Sequence, residues 1–248
     1  MRLGLAGSVA VITGATSGIG LATARSMVAE GARVVTVSRA TEGPNIGEAL
    51  HVATDLFQSG GPERMIRSAE SALGRIDILV NNVGHAAIRS LEELTDLDWE
   101  LALSANLMTA IGATRAALPG MLDRHRGSIV NVASTAGRRP SLKMPAYSVT
   151  KAALLAYSRQ VAVTYADEGV RCNALIPGPT LTRSWLEPGG LAEQQGERDE
   201  VLARAAAERP LKRFAEPQEI ADAILFLSSP AAANVTGAEW SVSGGSVP

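Results

Sequence analysis

The chain has 248 residues, of which 46% are hydrophobic and 19% charged, and its formal net charge at pH 7 is −2. This length and composition suit one large globular domain or two small ones, and the near balance of charge excludes a basic field that would attract nucleic acid or an anionic membrane. Cys172 is the only cysteine, so neither a disulfide framework nor a cysteine-based metal site can form within one chain, and we predict no metal site.

The chain begins without the apolar segment and cleavage site of a signal peptide. No stretch reaches the ~18 uninterrupted apolar residues of a transmembrane helix. We therefore expect a cytoplasmic protein that does not enter a membrane. Because no repeat, low-complexity tract or linker divides the sequence, we expect residues 1–248 to form a single domain.

A strand, a glycine-rich turn and a helix come first. Residues 8–13 form an apolar run, and residues 21–30 have helical character. The turn between them has the spacing Gly-x-x-x-Gly-x-Gly, which differs from the commoner dinucleotide fingerprint. Glycines let a backbone approach a pyrophosphate, and a helix N-terminus favours its negative charge. The predicted phosphate contacts are Gly14, Ser17, Gly18, Ile19 and Gly20.

The second strand, residues 33–37, completes a βαβ unit and ends in Ser38 and Arg39. An acid at this point would bind a ribose 2′-hydroxyl, whereas an arginine accommodates a 2′-phosphate. No acid occurs before Glu42. The sequence therefore favours NADP(H) over NAD(H), and the alternative is that Arg39 is an ordinary surface residue.

A third strand, predicted for residues 51–56, ends in an acid. Asp55 could accept a hydrogen bond from adenine, or it could cap the helix predicted for residues 62–73. We include Asp55 and Leu56 among the candidate cofactor contacts.

The fourth strand, residues 76–80, is a continuous apolar run of the kind that parallel strands show when both faces are covered. Asn81, Asn82, Val83 and Gly84 follow it. Two amides and a glycine at the end of a strand can bond to both backbone and cofactor, although such turns are often only turns. Asn82 and Gly84 are candidate cofactor contacts.

Two long helices are predicted for residues 97–118 and 146–166. Each is apolar around more than the ~100° stripe that one buried face needs, so part of that surface needs a second partner. Asn106 interrupts the first helix, and a buried amide there must be hydrogen-bonded. The residue itself leaves a structural and a catalytic role open.

Between these helices lies a group of polar residues suited to proton transfer. Ser134 follows a strand predicted for residues 128–133, at the carboxyl end where open α/β sheets bind ligands. Tyr147 and Lys151 share a helix face, roughly 5–6 Å apart at Cβ. A nearby positive charge lowers a phenol pKa that starts near ~10, which makes Tyr147 a candidate proton donor. The alternative is an exposed Tyr-Lys pair and a serine in a loop.

The last third of the chain contains a strand at residues 170–176, a helix at 217–227 and a strand at 239–243. Residues 183–213 exceed the usual loop length, and we expect them to form a mobile lid over the site, with a charged helix at residues 193–208. The apolar underside of this lid would be formed by Trp185, Leu186 and Leu191.

Together these motifs resemble the short-chain dehydrogenase/reductase family. In order, they are Thr13-Gly14-x-x-x-Gly18-x-Gly20, Asp55, Asn81-Asn82-x-Gly84, Asn106, Ser134, Tyr147-x-x-x-Lys151 and Pro177-Gly178-x-x-x-Thr182. The resemblance covers essentially the whole chain. It implies an α/β fold, a single doubly wound Rossmann-type domain with a seven-stranded parallel sheet and helices on both faces, and often a homotetramer. Val83 and Ser243 depart from the family pattern, which has alanine and an acid at these positions.

The resemblance also implies roles for the polar residues. Ser134 would orient the substrate oxygen, Tyr147 would transfer the proton, and Asn106 would organise a water in the proton relay. Lys151 would hold the nicotinamide ribose and lower the pKa of Tyr147. The implied cofactor contacts in the last third of the chain are Pro177, Gly178, Thr180 and Thr182.

The predicted function is that of an NADP(H)-dependent oxidoreductase that interconverts a ketone and a secondary alcohol. The overall pattern is most similar to 3-oxoacyl carrier-protein reductases, but acyl thioesters, sugars, steroids and small ketones stay open as substrates. One alternative is an NAD-dependent alcohol dehydrogenase. Another is a non-catalytic cofactor-sensing protein, whose mark would be the loss of Tyr147 or Lys151, and both are present.

Overall fold

A seven-stranded sheet forms the centre of the computed structural model, which describes residues 3–247. The strand order is β3-β2-β1-β4-β5-β6-β7, and every neighbouring pair is parallel. The strands are β1 (Val9–Thr13), β2 (Arg33–Ser38), β3 (Leu50–Ala53), β4 (Ile78–Asn81), β5 (Gly127–Val132), β6 (Val170–Pro177) and β7 (Glu239–Val242). Each residue of β1, β4 and β5 is buried, as expected for parallel strands covered on both faces.

Helices connect the strands and cover the sheet. They are α1 (Gly18–Ala29), α2 (Gly61–Leu73), α3 (Asp96–Leu103), α4 (Thr109–Asp123), α5 (Pro145–Tyr165), α6 (Arg183–Leu186), α7 (Arg198–Ala207) and α8 (Pro217–Ser228). A π-helical turn, Ser104–Met108, joins α3 to α4, so the first long helix predicted from the sequence is continuous but irregular.

The core has two layers because successive side chains of a strand point to opposite faces of the sheet. Ile12 packs on one face with residues of α1 and α8, such as Met27 and Ile224. Val11 packs on the other face with residues of α2, α4 and α5, such as Met65. The predicted doubly wound Rossmann-type fold with helices on both faces is confirmed.

The strand order reverses between β1 and β4. The first three strands extend the sheet in one direction, and the chain then returns past β1 to place β4 on its other side. Open α/β sheets bind ligands in the crevice at the carboxyl ends of the strands beside such a reversal. The topology therefore places a binding crevice beside the glycine turn that follows β1.

The stretch Asp96–Asp123 is long and apolar enough to cross a membrane by length and composition alone. In the 18-residue apolar window of this stretch, 56% of the residues are buried inside the fold, where α4 packs on α2 and α3 on α5. Burial of this kind is typical of the core helix of a globular domain.

A buried amide network holds the middle of the sheet to α5. Asn131 on β5 is fully buried, its Oδ1 accepts from Asn81 Nδ2 at 2.8 Å, and its Nδ2 donates to Ser158 Oγ at 2.9 Å. These bonds join β4, β5 and α5 through buried side chains. Asn81 Nδ2 also donates to Thr114 Oγ1 at 3.3 Å, and Ser158 Oγ donates to the carbonyl oxygen of Leu154 at 2.7 Å, so the network is paired as buried polar groups must be.

We predict that Asn131→Ala lowers the free energy of unfolding by about 1–3 kcal/mol, because it removes the hydrogen bonds that Asn131 makes with Asn81 and Ser158 and leaves a gap in the core. Urea unfolding followed by circular dichroism measures the change. The control is Asn234→Ala, which removes an exposed asparagine. Equal stability of the two variants would show that the network contributes nothing.

Candidate active site

The turn after β1 has a backbone that requires glycine. Gly14 and Gly18 have φ values of +65° and +51°, in the left-handed region that favours glycine. A Cβ at Gly20 would overlap the carbonyl oxygen of Gly14, so this helix could not pack against the turn with any larger residue. The first turn of α1 is thereby held against the crevice, where its free N–H groups can meet an anion.

A cavity of about 1150 Å³ runs along the carboxyl ends of the strands. Ligand pockets commonly measure ~300–1,000 Å³, so this one has room for a dinucleotide and a small substrate together. The predicted site residues that line it are Gly14, Ser17, Gly18, Ile19, Ser38, Arg39, Asp55, Leu56, Asn82, Gly84, Ser134, Tyr147, Lys151, Pro177, Gly178, Thr180 and Thr182. Gly20 and Asn106 are not part of the cavity wall.

Two neighbouring segments fix the shape of the glycine turn. Asn82 Nδ2 donates to the carbonyl oxygens of Thr13, at 3.0 Å, and Gly14, at 3.3 Å. On the opposite side, Thr182 Cγ2 lies 3.0 Å from the position that a Cβ on Gly18 would occupy. The loop after β6 therefore closes directly over the turn after β1, and the Asn82 amide holds backbone there.

The far end of the cavity lies at the carboxyl end of β2. Ser38 Oγ accepts from the backbone N–H of Ala40 at 3.1 Å, and the Arg39 guanidinium carbon lies 5.8 Å from the centroid of the Phe57 ring. Asp55 Oδ1 accepts from the N–H of Phe57 at 3.0 Å. Because α2 begins at Gly61, Asp55 forms a local turn and does not cap that helix.

Lys151 is the buried cation of the site, with 2% of its surface exposed. Its Nζ donates to the carbonyl oxygen of Val132 at 2.8 Å and lies 5.6 Å from the centroid of the Tyr147 ring. Burial disfavours the charged form and lowers the pKa of Lys151 to about 8. The ammonium is therefore mostly charged at pH 7 and loses its proton as the pH rises through about 8.

Tyr147 and Ser134 face each other across the same wall. Ser134 Oγ accepts from the N–H of Ala136 at 3.1 Å, in the 3₁₀ turn that follows β5. Burial raises the pKa of Tyr147, and its hydrogen bond with Ser134 acts in the opposite direction. The expected lowering of this pKa by Lys151 is not found, because desolvation of the phenol dominates and the lysine Nζ is directed at Val132.

Asn106 lies behind the wall, in the π-helical turn. Its Oδ1 accepts from the backbone N–H of His85 and its Nδ2 donates to the carbonyl of His85, both at 2.8 Å. The side chain, 1% exposed, thereby anchors the segment that follows β4 and Gly84. The sequence predicts a buried, hydrogen-bonded amide here, but the π-helical turn that aims it at His85 leaves no recognisable sequence signal.

The segment of residues 183–213 is more structured than the predicted loop with one helix. It contains α6, a 3₁₀ turn at Glu193–Gln195 and the ten-residue α7. Trp185 packs edge-on against Phe214 with ring centroids 5.1 Å apart. A contact that the sequence does not predict joins this segment to the opposite wall, since Lys143 Nζ donates to Gln195 Oε1 at 2.9 Å.

Comparison with known proteins decides the family. A family model described as enoyl-(acyl carrier protein) reductase matches residues 14–246. D-beta-hydroxybutyrate dehydrogenase from Cupriavidus necator is 34% identical, with 97% of this chain and 98% of that protein covered. 2-(S)-hydroxypropyl-CoM dehydrogenase 3 from Xanthobacter autotrophicus is 37% identical, with 97% of each covered. The chain belongs to the short-chain dehydrogenase/reductase family.

A solved structure of this dehydrogenase/reductase family is closely similar. L-Sorbose reductase from Gluconobacter frateurii, in complex with NADPH and L-sorbose, superposes with a TM-score of 0.92 at 35% identity over 98% of each chain. The protein is accordingly a short-chain oxidoreductase that acts on alcohol or ketone groups with a nicotinamide cofactor. Its glycine turn and the size of its cavity fit that cofactor.

Because the Lys151 ammonium is buried, we predict that it lowers the free energy of unfolding of this dehydrogenase/reductase. At pH 7, Lys151→Met should raise the free energy of unfolding by about 1–3 kcal/mol, because it removes a desolvated charge at similar side-chain volume.

The pH dependence provides the internal check. Between pH 8, the approximate folded pKa, and 10.5, the ordinary value, the unfolded wild type binds more protons than the folded one. Wild-type stability therefore rises with pH in this window and the gap to the variant narrows. A variant that is less stable at pH 7, or a gap that does not change with pH, would contradict the assigned cost of burial.

Proposed function

We propose that the protein is an NADP(H)-dependent oxidoreductase that interconverts a ketone and a secondary alcohol, with Tyr147 as the general acid and base. The observation that carries this proposal is the convergence of Ser134, Tyr147 and Lys151 on one wall of the cavity that the glycine turn also lines. The nicotinamide, when bound, supplies or accepts the hydride, while the chain supplies orientation and the proton.

The proton path is short. The Ser134 hydroxyl orients the substrate oxygen, and the phenol of Tyr147 donates its proton to that oxygen as the carbonyl is reduced. Because burial raises the pKa of Tyr147, the phenol is protonated at neutral pH and suited to donate. The charge on Lys151 stabilises the phenolate that forms, and Asn106 supports this wall through His85.

We predict that Tyr147→Phe lowers kcat for ketone reduction by about 10²–10⁴-fold, the range typical of a lost general acid, with an unchanged circular dichroism spectrum. NADPH oxidation is followed by absorbance with a panel of ketones and alcohols. The matched control is Tyr165→Phe, near the end of the same helix, which should keep wild-type turnover. Retention of turnover within threefold in Tyr147→Phe would remove this residue from the role.

The preference for NADP(H) rests on the end of β2. Arg39 lines the cavity next to Ser38, and a neutral serine neither repels a 2′-phosphate nor accepts two ribose hydroxyls as a carboxylate does. The guanidinium of Arg39 lies over the Phe57 ring, 5.8 Å from its centroid, and the planar N–H fork of an arginine suits a phosphate. The solved relative with NADPH supports the same preference. An NAD(H)-dependent enzyme is the alternative.

The double variant Ser38→Asp with Arg39→Ala should weaken NADPH binding by roughly ten- to a hundredfold and improve NADH binding, because a charged hydrogen bond is exchanged for charge repulsion. Both dissociation constants are measured by cofactor fluorescence at one ionic strength. Arg67→Ala, which removes an exposed arginine outside the cavity, is the control. Wild type that binds NADH as tightly as NADPH would overturn this assignment.

We also propose that the protein is a cytoplasmic homotetramer. Apolar side chains on the outer faces of the two long helices are exposed, with Leu97 at 73% and Val163 at 81%. Leu101, Met108 and Val149 extend this surface. Closed symmetric assemblies are the usual outcome when such faces pair. The single, buried cysteine suits a reducing compartment.

Light scattering should give a mass near four times 25.8 kDa for wild type. Val163→Glu should shift it to smaller species, because it places a charge in the proposed interface. Ala72→Glu, on the exposed side of α2, should leave the mass unchanged. Wild type that is monomeric at micromolar concentration would contradict the proposal.

A further inference from the structure

We propose that the substrate carries an acidic group, a carboxylate or a sulfonate, and that Arg139, Arg204 and Arg209 bind it. This inference rests on the proposed function, because it names the substrate class of the same site.

The cavity wall is strongly cationic, although the chain as a whole has a net charge of −2. Within the described part of the chain, two carboxylates line it, those of Asp55 and Glu208. The cationic side chains that line it are Arg39, Arg139, Lys143, Lys151, Arg183, Arg204 and Arg209. A cleft with walls of one sign concentrates ligands of the opposite sign, so the field of this cavity selects anions.

Four of these cations already have an assigned partner. Lys151 donates to Val132, and Lys143 donates to Gln195. Arg183 pairs with Glu187, and Arg39 stacks on Phe57 at the nucleotide end.

Three arginines remain, namely Arg139, Arg204 and Arg209. Among residues 3–247, the structure gives their guanidinium groups no hydrogen bond and no ion pair. Arg209 provides the sharpest evidence, because its Nε is buried and has no acceptor. A buried donor without an acceptor is unfavourable, and native proteins seldom keep one without a functional reason. Carboxylate and sulfonate oxygens match the planar donor fork of a guanidinium.

The three arginines line the cavity from two segments of the chain. Arg139 lies on the loop between Ser134 and α5, whereas Arg204 and Arg209 lie on α7 and just after it. The bond from Lys143 to Gln195 joins the loop to the segment that carries α7. Glu208 is an exposed carboxylate, so solvent and salt screen its charge more than a buried one.

The test compares ketones that differ only in charge. The pairs are acetoacetate with methyl acetoacetate, and 4-oxocyclohexanecarboxylate with its methyl ester, each assayed with saturating NADPH. For wild type we expect kcat/KM to be roughly ten- to a hundredfold higher for each acid than for its ester, the range of a charged hydrogen bond. Arg139→Ala and Arg209→Ala should lose this preference through a higher KM for the acids, with the esters within threefold.

Two further variants separate a specific contact from a general loss of charge. Arg198→Ala removes an arginine of α7 that pairs with Asp199 and is not on the cavity wall, so it should keep the preference. Arg139→Lys and Arg209→Lys keep the positive charge but lose the planar guanidinium, so each should retain part of the preference for the acids. The KM for NADPH is measured for each variant and should stay within threefold of wild type.

The outcomes are distinguishable. Wild type with equal kcat/KM for acids and esters, or arginine variants that keep the preference, would overturn the substrate class while leaving the oxidoreductase in place. The substrate class would also be wrong if the arginine variants raised the KM for NADPH and left the KM for the acid unchanged. It would be wrong again if the enzyme reduced neutral ketones but neither of the two acids. Failure to reduce any ketone with either cofactor would overturn the proposed function itself.

Discussion

The ammonium of Lys151, buried against the carbonyl oxygen of Val132, is the interaction on which the proposed chemistry depends. The 2.8 Å bond joins α5 to the end of β5. Ser134 follows Val132 by two residues, and Tyr147 precedes Lys151 by one helical turn, so one bond brings the hydroxyl and the phenol to the same wall. Burial disfavours the charged ammonium and lowers the pKa of Lys151 to about 8.

The parallel sheet supplies the second constraint. It collects residues from distant parts of the chain, from Gly14 to Thr182, because every strand presents its carboxyl end at the same edge. The loop after β6 contacts the glycine turn after β1 directly, although 164 residues separate Gly18 from Thr182. Beneath this edge, the fully buried Asn131 ties the middle strands to α5. Asn131 is not part of the cavity wall, so hydrogen bonds outside the cavity help to hold this edge of the sheet in place.

Local patterns were sufficient to predict most of the fold and part of the site. Continuous apolar runs mark buried parallel strands, and the glycine spacing marks a phosphate-binding turn, so these elements can be predicted from the sequence. The strand order is seen only in the structure. The placement of Ser134, Tyr147 and Lys151 on one cavity wall was predicted from a strand end and one helical turn.

Features that depend on tertiary surroundings were beyond sequence reasoning. The direction of the Tyr147 pKa shift depends on how much water the folded chain excludes, which spacing along a helix does not encode. The amide of Asn106 reaches His85 only because the helix widens into a π-helical turn. Likewise, nothing in the sequence distinguishes Arg209, with its buried and unpaired Nε, from arginines that carboxylates neutralise.

Titration of Lys151 itself tests most directly whether a desolvated ammonium lies beside Tyr147. The chain has only three lysines, so protein grown with ¹³C-labelled lysine gives few side-chain signals to follow by NMR as pH is raised. We expect one signal to titrate with a midpoint near pH 8 and to be absent from Lys151→Met. A Lys151 signal with a midpoint at the ordinary lysine value near ~10.4 would contradict this expectation, because the ammonium would then not be desolvated beside Tyr147.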